Sequence, residues 1–250
     1  MTDAAEACRV QARPKAISSL LPTTATVRPA LRSIPPASPI PMRVQIANGK
    51  PQLEAAAATL VEAMYTSRGL HIQNAPRPAP TLSATTLVAC AGDSVFASLT
   101  LGIDHGEGLL ADARYRTRID PVRNTGGRAC EVTRLATNPA FSSQHLLAML
   151  FNAAYVIAYS IHRATDMFAE VHPRHAGYYR RMLGFTVAGP ESICPRVGAP
   201  AVLLHLPFSH IDGEIQRIRD DQQSSLRSLY RHFMAVPEHL DYLAELMPHR

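Results

Sequence analysis

Lysine is nearly absent from this sequence. Lys15 and Lys50 are the only two, and arginine supplies the other 23 of the 25 basic residues behind a net charge of +5. Arginine suits planar, bidentate contact with carboxylates and phosphates. A net charge this modest permits an acidic partner without requiring one. Cysteine is also scarce. Cys8, Cys90, Cys130 and Cys194 follow no zinc-ligand or CxxC spacing, so they read as ordinary reduced thiols. The N-terminus lacks the apolar run of a secretory signal. The longest apolar stretch, Leu146 to Ile161, is interrupted by Asn152 and Ser160. It is too short and too broken for a membrane span and reads as a buried helix. No internal repeat is present. Together these absences point to a cytoplasmic protein, and the 46% hydrophobic content is enough for a sizeable core.

Residues 1–42 hold Pro14, Pro22, Pro29, Pro35, Pro36, Pro39 and Pro41 among many Ala, Ser and Thr. Such a segment cannot build a core and reads as a disordered tail. Order is expected from Arg43. Arg43–Ala47 alternates like a strand, and Pro51 fits the first turn of a helix with an apolar stripe from Leu53 to Tyr65. Thr86–Cys90 and Val95–Leu101 read as strands of a hairpin turning at Ala91–Ser94. Residues 104–128, rich in Gly and Arg, read as a loop. Cys130–Ala136 is a strand, followed by a long helix capped by Ser142 or Ser143. Then come strand Met167–Val171, a short helix His175–Leu183 closed by Gly184, and strands Phe185–Ala188 and Ala201–Leu206. Stripes at Ile211, Ile215 and Ile218, and at Leu226, Leu229, Tyr230 and Phe233, make residues 208–250 a helical extension packed on the chain's own core or, failing that, on a second subunit. The order predicts an α/β domain over 43–207 with one mixed central sheet and flanking helices.

This order resembles the GNAT acyl-CoA N-acyltransferase fold. Tyr179-Arg-Arg-Met-Leu-Gly-Phe185 is similar to the tyrosine-to-Gly-Phe segment on the last helix of that superfamily. Here the tyrosine lies five residues before the glycine instead of the usual four. A narrower resemblance rests on Leu60–Gly69, Leu109–Tyr115, Glu131-Val-Thr-Arg-Leu-Ala136, Glu170–Tyr179 and Val197–Leu204. These look like the FeeM-type N-acyl amino acid synthases. Glu131-Val-Thr-Arg134 is also similar to the Glu-x-Ser-Arg signature of acyl-homoserine lactone synthases. The resemblance implies transfer of a long acyl chain from an acyl carrier protein to the amino group of an amino acid, with no bound cofactor.

Donor choice has one sign in the residues. GNAT enzymes that use acyl-CoA carry a Gly-rich turn after the central strand, whose N–H groups cradle the pyrophosphate. The corresponding Asn138–His145 has no glycine. That favours acyl-phosphopantetheine on a carrier protein over acyl-CoA.

Amide formation from a thioester needs a neutral amine, a stabilised oxyanion and a proton for the leaving thiolate. Glu131 is a candidate base and Arg134 a candidate to bind a carboxylate or orient Glu131. Residues three apart on a regular strand face opposite sides, so a joint site requires a bulge. GNAT-like folds typically have one in this strand. The alternative is a structural Glu–Arg pair beside the sheet. Glu170 and His172 share a strand face, with Glu170 a candidate substrate contact and His172 a candidate proton shuttle. His172 and His175 form an HxxH with no third ligand nearby, so no metal site is assigned. Tyr179 and Arg68 are candidate substrate-binding residues. Arg174, Arg180 and Arg181 are candidates for meeting a carrier protein or its phosphopantetheine phosphate, or else form a solvated helix face. Arg114, Arg116, Arg118, Arg123 and Arg128 make a second basic run with Asp120 as its only acid. Too few aromatics accompany it for a nucleic-acid site. Two other functions remain open: an acyl-CoA-dependent enzyme on a different amine, and a non-catalytic acyl-ligand-binding module.

Overall fold

The computed structural model describes residues 41–70, 84–141, 143–220 and 228–247. The chain divides at Pro39/Ile40, and every element below lies in the C-terminal unit. Strand β1 (Arg43–Ile46) is followed by α1 (Pro51–Thr66), β2 (Ala84–Ala91), β3 (Ser94–Ile103), α2 (Asp112–Asn124) and β4 (Ala129–Thr137). Then come α3 (Gln144–Val156), β5 (Asp166–Val171), α4 (Pro173–Leu183), β6 (Thr186–Val187), β7 (Ser192–Cys194) and β8 (Ala199–Pro207). Helices α5 (Phe208–Asp220) and α6 (His239–Leu246) close the chain, with two 3₁₀ turns between them.

The strands form one mixed sheet in the order β1-β2-β3-β4-β5-β8-β6, with β7 beside β8. Only β4 and β5 run parallel. Their pairing stops at Val132 and Ala169, while β5 continues to Val171 against β8. Beyond that point β4 and β5 part. The parting coincides with a bulge in β4. Thr133 opposes Thr100 and Ala136 opposes Ser98, so β4 carries one extra residue. Arg134 takes φ 51° there, a left-handed conformation rare for a side chain of this size. The extra residue reverses the alternation. Val132 packs in the main core under α3, whereas Ala136, four residues on, packs against Val61 and Met64 of α1.

Helices α3, α4, α5 and the C-terminal turns cover one face and α1 and α2 the other. Ser143 caps α3 by accepting from Leu146 N. Ser142 lies outside the described residues. A π-helical turn, Ile157–Ile161, continues α3. Gln144–Ile161 is long and apolar enough to pass as a membrane span by length and composition, contrary to the expectation that it is too short. Its position decides the matter: 61% of it is buried in the core. Gly184 ends α4 at φ 72°, a left-handed conformation that favours glycine, and a side chain there would also displace the exposed His210 ring.

Several expectations need correction. Residues 104–128 are not one loop, because α2 occupies half of them. It was hidden by Pro121 inside it and by a kink at Tyr115, with only Tyr115 and Ile119 buried. The three-residue β7 gave no alternation to read. The extension adds to the main core through Ile211, Ile215, Leu229, Tyr230 and Phe233. Asn152 on α3 accepts from Met234 N, and Tyr230 donates to Leu183 O. Leu226 and residues 1–40 of the expected tail lie outside the described residues. Cys90, Cys130 and Cys194 are free and buried.

Candidate active site

A cavity of about 420 Å³ fills the space opened where β4 and β5 part. One wall is apolar, with Val61 from α1, Val132 and Leu135 from β4, and Leu147 and Phe151 from α3. The rest of the lining is largely polar. It carries Glu170, Arg196 and Arg134, with Tyr65 and Arg68 at the end of α1. Beyond Val132 the β4 edge has no β5 partner, so its backbone borders the cavity.

Strand parity sets the polar wall. On β5, Met167 and Ala169 enter the main core, whereas Phe168 faces α2, and Glu170 follows on that same side. The Glu170 side chain is only 2% exposed. Its Oε2 pairs with Arg196, from the loop between β7 and β8. Its Oε1 is buried and makes no hydrogen bond of ordinary geometry, although the Cys194 thiol also lies against the Glu170 carboxylate. Tyr178 OH, also at the cavity, is the other such atom among the described residues. Buried polar atoms are nearly always satisfied in folded proteins, so these two at one cavity are exceptions. Burial opposes charge on Arg196, but Glu170, Cys194 and Glu131 outweigh it and hold the guanidinium charged. Burial pushes the Cys194 thiol up.

Glu131 is elsewhere. It is 4% exposed and does not line the cavity. Its Oε1 accepts from Leu110 N at 2.7 Å and its Oε2 from Ala111 N at 3.1 Å, at the start of α2. Burial raises its pKa, and the two backbone N–H groups pull it partway back. Glu131 is therefore not placed to act directly as a base in the cavity, because both oxygens are occupied and turned to the α2 side. The bulge does bring Arg134 to the cavity. Burial lowers its pKa, with Tyr65 acting to raise it.

The other expected residues divide. His172 lines the cavity but caps α4, its Nδ1 accepting from Arg174 N at 3.2 Å. His175, also at the cavity, has its pKa lowered by burial, then by Arg174, Arg68 and His172. Arg68 and Arg174 are exposed residues on the cavity rim. Tyr179 lines the cavity from within the core, edge-to-face with Phe151 and Phe185, and burial raises its pKa. Arg180 and Arg181 are exposed on α4 and do not line the cavity. Among the described residues, no three His, Cys, Asp or Glu side chains are grouped to hold a metal ion. In the second basic run, Arg123 is closed off by Asp104, Asp112 and Asp120 rather than by Asp120 alone. Sequence reasoning missed Arg196 and Tyr178. Arg196 had one signal: it is the only arginine between Arg181 and Arg217.

A mixed sheet parted at a bulge around a cavity lined by apolar and polar residues is the frame of a GNAT-like N-acyltransferase. The family model described as N-acyl amino acid synthase FeeM matches residues 56–207. The chain belongs to that family and is an acyltransferase. The solved structure of FeeM, an N-acyl amino acid synthase from uncultured soil microbes, aligns with TM-score 0.61 at 24% identity, covering 68% of this chain and 93% of that one. The acyl-homoserine lactone synthase LasI aligns with TM-score 0.50 at 15% identity, covering 67% and 90%. An acyl-CoA N-acyltransferase from Pseudomonas aeruginosa aligns with TM-score 0.45 at 16% identity, covering 66% and 97%. No curated protein matches the chain.

Proposed function

We propose that the chain is an N-acyl amino acid synthase that moves a long acyl chain from an acyl carrier protein to the amino group of an amino acid. The observation that carries this reading is the unsatisfied Oε1 of Glu170 beside Arg196 on the cavity wall. A buried acceptor without a donor costs about 1–3 kcal/mol. An incoming ammonium satisfies it, and a neighbouring guanidinium suits the carboxylate of the same molecule. The pair thus complements the two charges of an amino acid.

The chemistry follows from the walls. Glu170 Oε1 takes a proton from the acceptor, leaving the amine lone pair free to attack the thioester carbonyl carbon. The carbonyl oxygen gains charge as the C–N bond forms, and backbone N–H groups of β4 near Leu135 face that charge. The C–S bond then breaks, the second proton lost by the attacking nitrogen passes to the leaving thiolate to give amide and thiol, and the proton on Glu170 is released to solvent to reset the base. Arg134 and Arg68 border the same space and help hold the acceptor carboxylate. The apolar wall from Val61 to Phe151 takes the acyl chain, whose burial is favourable by about 0.8 kcal/mol per CH₂.

Two features support a carrier-protein donor. The N-terminus of α3, where a pyrophosphate would need free N–H groups, already has Leu146 N bound to Ser143 Oγ. Arg180 and Arg181 lie exposed on α4, whose residues Arg174, His175, Tyr178 and Tyr179 border the cavity. The experiment is thiol release with mass spectrometry of product, using purified protein, mixed amino acids, and either acyl carrier protein thioester or acyl-CoA. The reading expects N-acyl amino acids from the carrier-protein donor. Efficient product from acyl-CoA alone overturns the donor. Uptake of acyl chains without thiol release from either donor overturns the activity.

A further inference from the structure

Glu131 and Glu170 are joined by a continuous chain of contacts. Glu131 Oε1 accepts from Leu110 N at 2.7 Å. The carbonyl oxygen of the same residue, Leu110, accepts from Arg196 Nη1 at 3.0 Å. The other terminal nitrogen of Arg196 holds Glu170 Oε2. Glu131 Oε2 meanwhile accepts from Ala111 N, so the carboxylate grips two successive amides at the start of α2. That is where the helix dipole favours negative charge. Leu110 thus presents its N–H to one carboxylate and its C=O to the arginine of the other. The backbone itself makes room for this. Gly102 pairs with Glu131 across β3 and β4, and a Cβ on it would lie 3.3 Å from Glu131 Cγ and 3.5 Å from Oε1.

We infer that Glu131 is a positioning residue that fixes Arg196, and through it Glu170, by way of the Leu110 peptide. This inference rests on the proposed role of Glu170 and Arg196. It explains why a carboxylate is placed on β4 yet turned from the cavity. A glutamine at 131 offers one acceptor where two amide donors arrive, so its NH₂ opposes one of them. Leu110 then shifts, and Arg196 loses a fixed partner. Sub-ångström displacement of catalytic groups is costly to rate even when substrate binding survives.

The test is a double-mutant cycle on kcat, with KM for the acyl donor measured alongside. Glu131→Gln in the native background is expected to lower kcat about tenfold or more, with donor KM within about twofold. In an Arg196→Met background the same change is expected to alter kcat by less than about twofold, because its route of action is gone. Gly102→Ala, which presses on Glu131 by a few tenths of an ångström without replacing it, should show the same background dependence and serves if the glutamine variant folds poorly. Equal proportional losses in both backgrounds overturn the inference. The two readings fail separately. Normal kcat in Arg196→Met alone removes the site assignment, whereas a defective Arg196→Met with no coupling to position 131 removes only the positioning role.

Discussion

Two arginines in this protein sit among carboxylates, and their surroundings differ in completeness. Arg123 holds Asp104, Asp112 and Asp120 at 2.6–2.7 Å. Both oxygens of Asp104 and of Asp112 are engaged, by Arg123 and by the N–H groups of Gly106, Gly108 and Leu109. Arg196 holds Glu170 as tightly, yet leaves Glu170 Oε1 buried with no donor. The closed cluster does not line the cavity between β4 and β5, whereas the open one does. Residue type alone does not separate the two. A satisfied network rigidifies, whereas an unsatisfied buried group is held at a cost, which the proposed acceptor amine would relieve. The segment 104–112 runs between them, tied by Asp104 and Asp112 to the closed cluster and by Leu110 to the open one.

Breaking the open cluster should have the largest effect on catalysis. Arg196→Met is expected to lower kcat/KM by about 100-fold or more in a thiol-release assay, since oriented general-base catalysis contributes about 10²–10⁴. Breaking the closed cluster should act on stability instead. Arg123→Ala leaves the Asp104 and Asp112 carboxylates, each 7% exposed, without their cation. A loss of about 3 kcal/mol in urea unfolding is expected, and kcat of the folded fraction should fall far less than in Arg196→Met.

The closed cluster also has a pH signature. Burial alone would raise both carboxyls, but the Gly106 N–H and Arg123 hold Asp104 below its ordinary 3.8, and Arg123 with the Leu109 N–H does the same for Asp112. A carboxyl whose folded pKa is depressed contributes stability that is fully present above the unfolded value. That stability is lost as the pH falls below 3.8 through the folded values. Unfolding free energies measured at neutral pH and near pH 3 should therefore converge between native protein and Arg123→Ala.

The smallest effect is expected at the exposed arginines. Arg180→Glu with Arg181→Glu should raise KM for an acyl carrier protein donor about fivefold, as for a loss near 1 kcal/mol, and leave a short acyl-pantetheine donor unaffected. An equal effect on both donors would remove these residues from carrier docking.

Much of the frame is legible in the sequence, because alternation and helical stripes report burial. The hairpin around Gly92, the Ser143 cap and the Gly184 stop each follow from local chemistry. Helix α2 is not legible. Four arginines and an internal proline leave it no apolar stripe, and it is held by Tyr115, whose hydroxyl lies within hydrogen-bond reach of Pro190 O and Ala201 O, partners distant in sequence. The site was half legible. The β4 bulge expected from the resemblance is present and Arg134 and Glu170 line the cavity, but Glu131 does not join them there. The separate placement of the two glutamates was not legible. It depends on Leu110 and Arg196, which lie 21 and 65 positions from Glu131 in the chain and approach only once β4, β5 and β8 are side by side. A loop arginine carries no periodic signature, so Arg196 had to be seen in three dimensions.

The most direct measurement is single-turnover acyl transfer by Glu170→Gln, with protein in excess over the acyl carrier protein thioester and product read by mass spectrometry. A folded Glu170→Gln protein that binds the donor normally and forms N-acyl amino acid about 100-fold or more slowly is the predicted result. Transfer at the native rate would contradict the account, since the unsatisfied carboxylate oxygen would then have no part in the reaction.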